Sequence, residues 1–171
     1  MRKVRIISLK SFKEKSLLFL KGYRVFQIEN IGKKYFENHL IYIVRRNAIK
    51  RLTWHNRNGH FTYIISASPD IYLSSIADFL KCNGYECTKL LFKNNRFTGR
   101  IDGSDCLGDE KKERIISISQ KYHLDLSISY AYSDHESDLP ILEAVGHPTV
   151  VSPSPVLKML SMERGWRIEK W

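Results

Sequence analysis

YAYSDHESDLP, residues 130–140, sets an apolar and aromatic approach against two acids. The run from Leu126 to Tyr132 reads as a strand, Asp134 and Asp138 stand four apart just beyond it, and Pro140 falls where the first turn of a helix tolerates a residue without an amide hydrogen. A strand that delivers two carboxylates to its carboxyl end and turns at once into a helix suits a divalent cation. Magnesium takes hard oxygen ligands and shares its shell with substrate phosphate. The same spacing also suits a solvated helix start in which the acids are caps. What the pair means depends on the rest of the chain.

Working upstream, DEKKERIISISQK (109–121) predicts a helix that opens on Asp109 and Glu110 and closes on Lys121, the charge order that the helix dipole favours. Before it, CTKLLF (87–92) and FTGRI (97–101) flank a polar tip and predict a hairpin. FTYIIS (61–66) has no helical period and suits a buried strand. Ser68-Pro69 then predicts a helix start, and Tyr72, Leu73, Ile76, Ala77 and Leu80 continue it as an apolar stripe. Residues 11–58 read as two or three helices punctuated by Gly22 and Gly32 and capped by Gly59. VRIIS (4–8) is a short strand candidate. Downstream, a strand is expected near Pro148–Ser152, a helix from Ser154-Pro155 to Gly165, and an edge strand in the tail 166–171. From residue 61 onward strands alternate with helices, which predicts an α/β fold with a Rossmann-like parallel sheet covered by helices.

The composition, 43% hydrophobic and 27% charged, belongs to a globular chain and not to a disordered one. No apolar run approaches a membrane span and the basic start lacks a signal core, so no membrane partner and a cytoplasmic location are expected. Three cysteines without paired spacing, Cys82, Cys87 and Cys106, argue against a disulfide framework. The net charge of +10 is concentrated: residues 1–60 carry 15 Lys/Arg against 3 Asp/Glu, and the remainder 13 against 15. That basic third reads first as solvated helix faces, with nucleic acid not expected as a partner, and otherwise as a surface for phosphate or nucleic acid.

In an open parallel sheet ligands bind beyond the carboxyl ends of the strands. Three features fall there: Ser66 at the end of the first clear strand, Lys111 at the start of the helix that begins at Asp109, and the acid pair. A lysine in a first helical turn opposes the dipole, so its placement calls for an anionic partner. Each residue has a bland reading, as turn, surface lysine or cap. In this order they read as a phosphate-plus-magnesium site.

The chain resembles the haloacid dehalogenase-like hydrolases, in the branch typified by phosphoserine phosphatase. IISASPD (64–70) is similar to the second motif of that branch, FTGRIDGSDCLGDEK (97–111) to its third and YAYSDHESDLPIL (130–142) to its fourth; the PSPVLKMLSMERGW ending is similar as well. The resemblance implies that Ser66 binds phosphate, that Lys111 neutralises phosphate and nucleophile, that Asp134 is a direct Mg2+ ligand, and that Asp138 binds the metal through water or holds Lys111. It implies a small phosphorylated metabolite as substrate. The family's Asp-x-Asp-Gly-Thr nucleophile motif occurs nowhere in these residues. The expectation is therefore a core, 59–171, lacking its first strand behind a partial helical cap, 1–58, and a phosphatase without turnover unless a separate fragment supplies that strand. The alternative is a non-catalytic module that holds a phosphorylated ligand or nucleic acid on the basic third. Within the fourth motif Ser133 replaces a glycine, which adds a side chain where the backbone turns, and His135 is expected to be an exposed loop residue.

Overall fold

In a computed structural model, which describes residues 8–171, helices α1 (Leu9–Ser16), α2 (Val25–Asn38) and α3 (Arg46–Arg57) precede strand β1 (Tyr63–Pro69). There follow α4 (Leu73–Leu80), β2 (Gly84–Lys93), β3 (Arg96–Asp102), α5 (Asp109–Tyr122), β4 (Tyr130–Ser133), α6 (Leu139–Leu142), β5 (His147–Val151), α7 (Pro155–Glu163) and β6 (Arg167–Glu169). Residues 4–7 of the strand expected at 4–8 lie outside the described residues; Ser8 is the N-cap of α1, its hydroxyl accepting from the Ser11 amide at 3.2 Å. The chain divides into two compact units, Met1–Ile43 with Thr62–Asp105 (unit 1) and Val44–Phe61 with Cys106–Trp171 (unit 2).

Unit 1 is built on a three-stranded sheet, β1-β2-β3, with β1 and β2 parallel and β2 and β3 antiparallel. The hairpin forms where expected. Its tip is Asn94-Asn95, both at positive φ (50° and 60°), as a two-residue turn matched to strand twist requires. Leu20 and Ile28 from the helical segment close a core with Leu90 and Phe97 of the hairpin. Gly32 does not interrupt α2. A Cβ there would lie 1.7 Å from the Ile71 carbonyl oxygen, so glycine is what lets the helix approach that backbone.

One expected boundary moves. The helix after Ser68-Pro69 begins only at Leu73, and Pro69 belongs to β1. The register shifts between Ser66, which faces Cys87, and Pro69, which faces Thr88. Proline has no amide hydrogen to donate and is tolerated at such an irregular, one-sided strand. The Asp70 amide then donates to the Thr88 carbonyl at 3.0 Å, and the Asp70 carboxylate accepts from the Leu90 amide at 3.1 Å. Both bonds keep the chain extended past the point where local propensity would start a helix.

Unit 2 carries the sheet β4-β5-β6, parallel throughout, with Tyr130 facing His147 and Thr149 facing Arg167. Leu142, Val150 and Leu157 form its core, all fully buried, with Ala131, Leu139 and Trp166 packed against them. Each such aliphatic side chain contributes about 2 kcal/mol. Helix α7 starts as read, its N-cap Ser154 accepting from the Leu157 amide at 3.2 Å with Pro155 in the first turn. The α/β class and the parallel pairing are as expected. The strands, however, form two three-stranded sheets, and among the described residues β1 and β4 each have a neighbour on one side only. α6 has only four residues, because a 3-10 turn at Glu136–Asp138 takes up the start of that segment. Helix α3, read as part of the cap segment, makes its contacts within unit 2. The Arg51 guanidinium donates to Glu169 at 2.5 Å, and His55 Nε2 lies 2.9 Å from the Tyr132 hydroxyl.

Candidate active site

Strand β4 ends at Ser133, and the chain then turns through Asp134 and His135 into the 3-10 turn that holds Asp138. Lys111 occupies the first turn of α5 and is buried. Its ammonium group lies 2.8 Å from Asp138 Oδ1 and 2.9 Å from Oδ2. The Ser133 hydroxyl donates to Asp138 Oδ2 at 2.7 Å. A lysine against the dipole of its own helix is thus held by a carboxylate that a serine also holds, which is how a buried charge is kept from an uncompensated desolvation cost. Ser133, which reads as a poor substitute for glycine, is here a buried donor and places no strain on the turn.

Asp134 has a different environment. Its side chain is 54% exposed and 3.6 Å from the Arg45 guanidinium. Its backbone carbonyl accepts from the Ser154 amide at 3.1 Å, which fixes the loop and leaves the carboxylate facing outward. The neighbouring Glu136 accepts from the Ser154 hydroxyl at 2.6 Å, and that bond holds the Glu136 carboxyl below its usual range. His135 is exposed as expected and acts locally. Its Nδ1 accepts from the Ser137 amide at 3.1 Å and so caps the turn. Among the described residues no group of three or more His, Cys, Asp or Glu side chains converges.

Unit 1 contains Ser66. Its hydroxyl accepts from the Ser68 amide at 3.1 Å, so it closes its own loop. The next residue, Ala67, offers its carbonyl to Lys13 Nζ at 2.7 Å and to the Thr88 hydroxyl at 3.0 Å. Both donors also reach Asp105 Oδ1, Lys13 at 2.5 Å and Thr88 at 2.7 Å. Asp105 Oδ2 is buried and finds no hydrogen-bond partner among the described residues. Lys13, Thr88 and Asp105 were not legible as a group. Lys13 and Asp105 are 92 residues apart and belong to no shared motif.

Of the four residues singled out by sequence, the structure joins Lys111 and Asp138, places Asp134 on the same loop with its carboxylate open, and puts Ser66 in unit 1. The family model of haloacid dehalogenase-like hydrolases matches residues 1–143. The chain belongs to the haloacid dehalogenase-like hydrolases. Within them it resembles the phosphoserine-phosphatase-like branch. It is 28% identical over 156 residues to a phosphoserine phosphatase of Mycobacterium tuberculosis, covering 91% of this chain and 51% of that protein. This chain thus spans about half the length of that curated relative. A protein of unknown function from Bordetella pertussis Tohama I has the same fold, with a TM-score of 0.87 at 23% identity over 95% of this chain and 74% of that one. A substrate-bound phosphoserine phosphatase has a TM-score of 0.67 at 17% identity, covering 96% and 72%. No helix among the described residues is long and apolar enough to cross a membrane.

Proposed function

We propose that this chain carries the phosphate-neutralising and metal-binding end of a phosphomonoester hydrolase acting on a small phosphorylated metabolite. The observation that carries the reading is the contrast within one loop: Asp138 is spent on Lys111, while Asp134, four residues earlier, keeps an exposed carboxylate at the carboxyl end of β4. An ammonium group held in place beside an open acid is what a phosphoryl group with a hydrated cation needs.

The residues fit Mg2+ as an open, largely hydrated site. Asp134 supplies one hard oxygen ligand, and Asp138, with both oxygens already accepting, supports it by fixing Lys111. Magnesium characteristically binds through one or two carboxylates, water and phosphate. When bound it supplies charge neutralisation on the phosphoryl oxygens. Lys111 itself neutralises negative charge at the phosphate, and Ser133 keeps Asp138 oriented so that the ammonium is presented in one position. The carboxylate nucleophile is, on this reading, brought by an Asp-x-Asp strand from outside these 171 residues, because no such motif occurs within them.

Calorimetry with orthophosphate tests the reading. Magnesium strengthens phosphate binding by the wild-type chain, Asp134→Ala removes that gain, and Lys111→Ala removes the binding. Phosphate binding indifferent to both substitutions overturns the assignment. Hydrolysis of an aryl phosphate by this chain alone would show that the nucleophile lies within it. Ser66→Ala is the separate test of that hydroxyl.

A further inference from the structure

Away from the Lys111–Asp138 centre, unit 2 has two hollows that share the side chain of Arg51. The larger, about 720 Å³, is walled by the amino ends of the parallel strands: Tyr130 opens β4, His147 opens β5 and Arg167 opens β6. Asp134 and Asp138 follow the carboxyl end of β4, and neither they nor Lys111 nor Ser133 line either hollow. The smaller, about 470 Å³, lies between α3 and the tail that follows β6, with Lys50 and Trp54 on one side and Lys170 and Trp171 on the other.

The lining has two chemical components. Five lysine and arginine side chains face the hollows against two glutamates, Glu143 and Glu169. Glu143 accepts from Arg164 at 2.9 Å, and Glu169 accepts from Arg51 at 2.5 Å and from Arg167 at 2.7 Å, so three guanidinium groups share two carboxylates and a positive charge is left over. Burial alone would raise the Glu169 carboxyl, but the Trp171 indole donor and the two arginines outweigh it and hold the group below its usual range. The second component is aromatic. All three tryptophans of the chain, Trp54, Trp166 and Trp171, line these hollows. Trp171 stacks on Tyr132 at 5.4 Å, Tyr130 stacks on His147 at 4.6 Å, and the Arg164 guanidinium lies 5.3 Å from the centre of the Trp166 ring.

We propose that this face binds a nucleotide, with the base against the indole and phenol rings and the phosphate against the Arg164 and Arg167 forks. Guanidinium groups recognise phosphate bidentately, and aromatic rings stack on any base. A simple anion would need the charges without the rings; an apolar ligand would need the rings without the charges. The same chemistry serves a free nucleotide or a unit of a single strand. The site is distinct from the one proposed for hydrolysis and does not depend on that reading.

Because every tryptophan lies here, intrinsic fluorescence reports on this face. The 171-residue chain is titrated in parallel with adenosine triphosphate, a single-stranded oligothymidylate and inorganic triphosphate. Saturable quenching by the nucleotide or the oligonucleotide is expected, and whichever binds more tightly per site identifies the source. Arg167→Glu weakens it by roughly tenfold or more, and added salt weakens it further. Should Arg167→Glu lower the melting temperature, Lys170→Glu, on the exposed tail, is expected to weaken binding with the fold intact. No quenching by either ligand, inorganic triphosphate binding as tightly as the nucleotide, or affinity unchanged in both charge variants would each overturn the proposal.

Discussion

Among the described residues each unit holds a lysine–aspartate pair, and the two are completed differently. In unit 2, Lys111 engages both oxygens of Asp138, and Ser133 adds a third donor. In unit 1, Lys13 and Thr88 both donate to the same oxygen of Asp105, and the other oxygen is buried with no hydrogen-bond partner among the described residues. The first pair is saturated and immobilises an ammonium group. The second leaves an acceptor unmatched, at a cost in stability. A pair in which both carboxylate oxygens are engaged suits an ammonium group that must be held in one position with a donor to spare; a pair with an unused oxygen marks a place where the fold has not been optimised for stability alone.

The largest expected effect tests the saturated pair. Lys111→Ala leaves the Asp138 carboxylate buried without its counter-ion and is expected to destabilise by about 3 kcal/mol in urea unfolding. The double change Lys111→Met with Asp138→Leu recovers most of that, because both desolvation costs vanish together. Equal losses in the single and double variants would show that packing, not charge, holds the site.

Next comes a buried basic group satisfied without full charge. His55, buried in unit 2, lies 2.8 Å from His60 Nδ1 and 2.9 Å from the Tyr132 hydroxyl. Burial, and after it the nearby His60 and Arg51, pull its pKa down to about 4. The unfolded chain protonates this residue near 6.5, so between those values the unfolded state binds more protons. Stability is therefore full above about pH 6.5 and falls, by on the order of 2 kcal/mol, as the pH drops toward 4. Melting curves across that window check this, and His55→Gln is expected to flatten them.

The two hydroxyl donors then compare the pairs directly. Thr88→Val removes one of the two donors on the used oxygen of Asp105 and leaves that oxygen to Lys13; about 1.5 kcal/mol is expected in urea unfolding. Ser133→Ala is expected to cost less, about 1 kcal/mol, since Asp138 Oδ2 keeps the Lys111 ammonium at 2.9 Å. If Ser133→Ala costs more, the saturated pair depends on its serine, and the contrast between the pairs reverses.

Much of this was readable in the order of residues. Asp109–Tyr122 is helical because its charges follow the helix dipole and its breakers lie outside it. The β2–β3 hairpin forms because two asparagines at its tip accept positive φ. That Asp138 holds Lys111 was one of the two roles that the family resemblance implied for it, and the structure makes that contact. The misread helix start at Ser68-Pro69 shows the limit. The local capping pattern was sound, but Thr88 and Leu90, on a different strand, competed for the same backbone and won.

By itself, the sequence determined the alternation of strands and helices, since this follows from periodicity and spacing along the chain, and its motifs carried the resemblance that pointed to the family and to the two acids and the lysine. Only the tertiary structure decided that Asp138 is occupied while Asp134 is open, that Gly32 is a point of close approach and not a break, that Lys13 meets Asp105 across 92 residues, and that all three tryptophans share one basic face. Each of these depends on which groups from distant segments are left to compete for the same donor, acceptor or space, and a linear pattern carries no record of that competition.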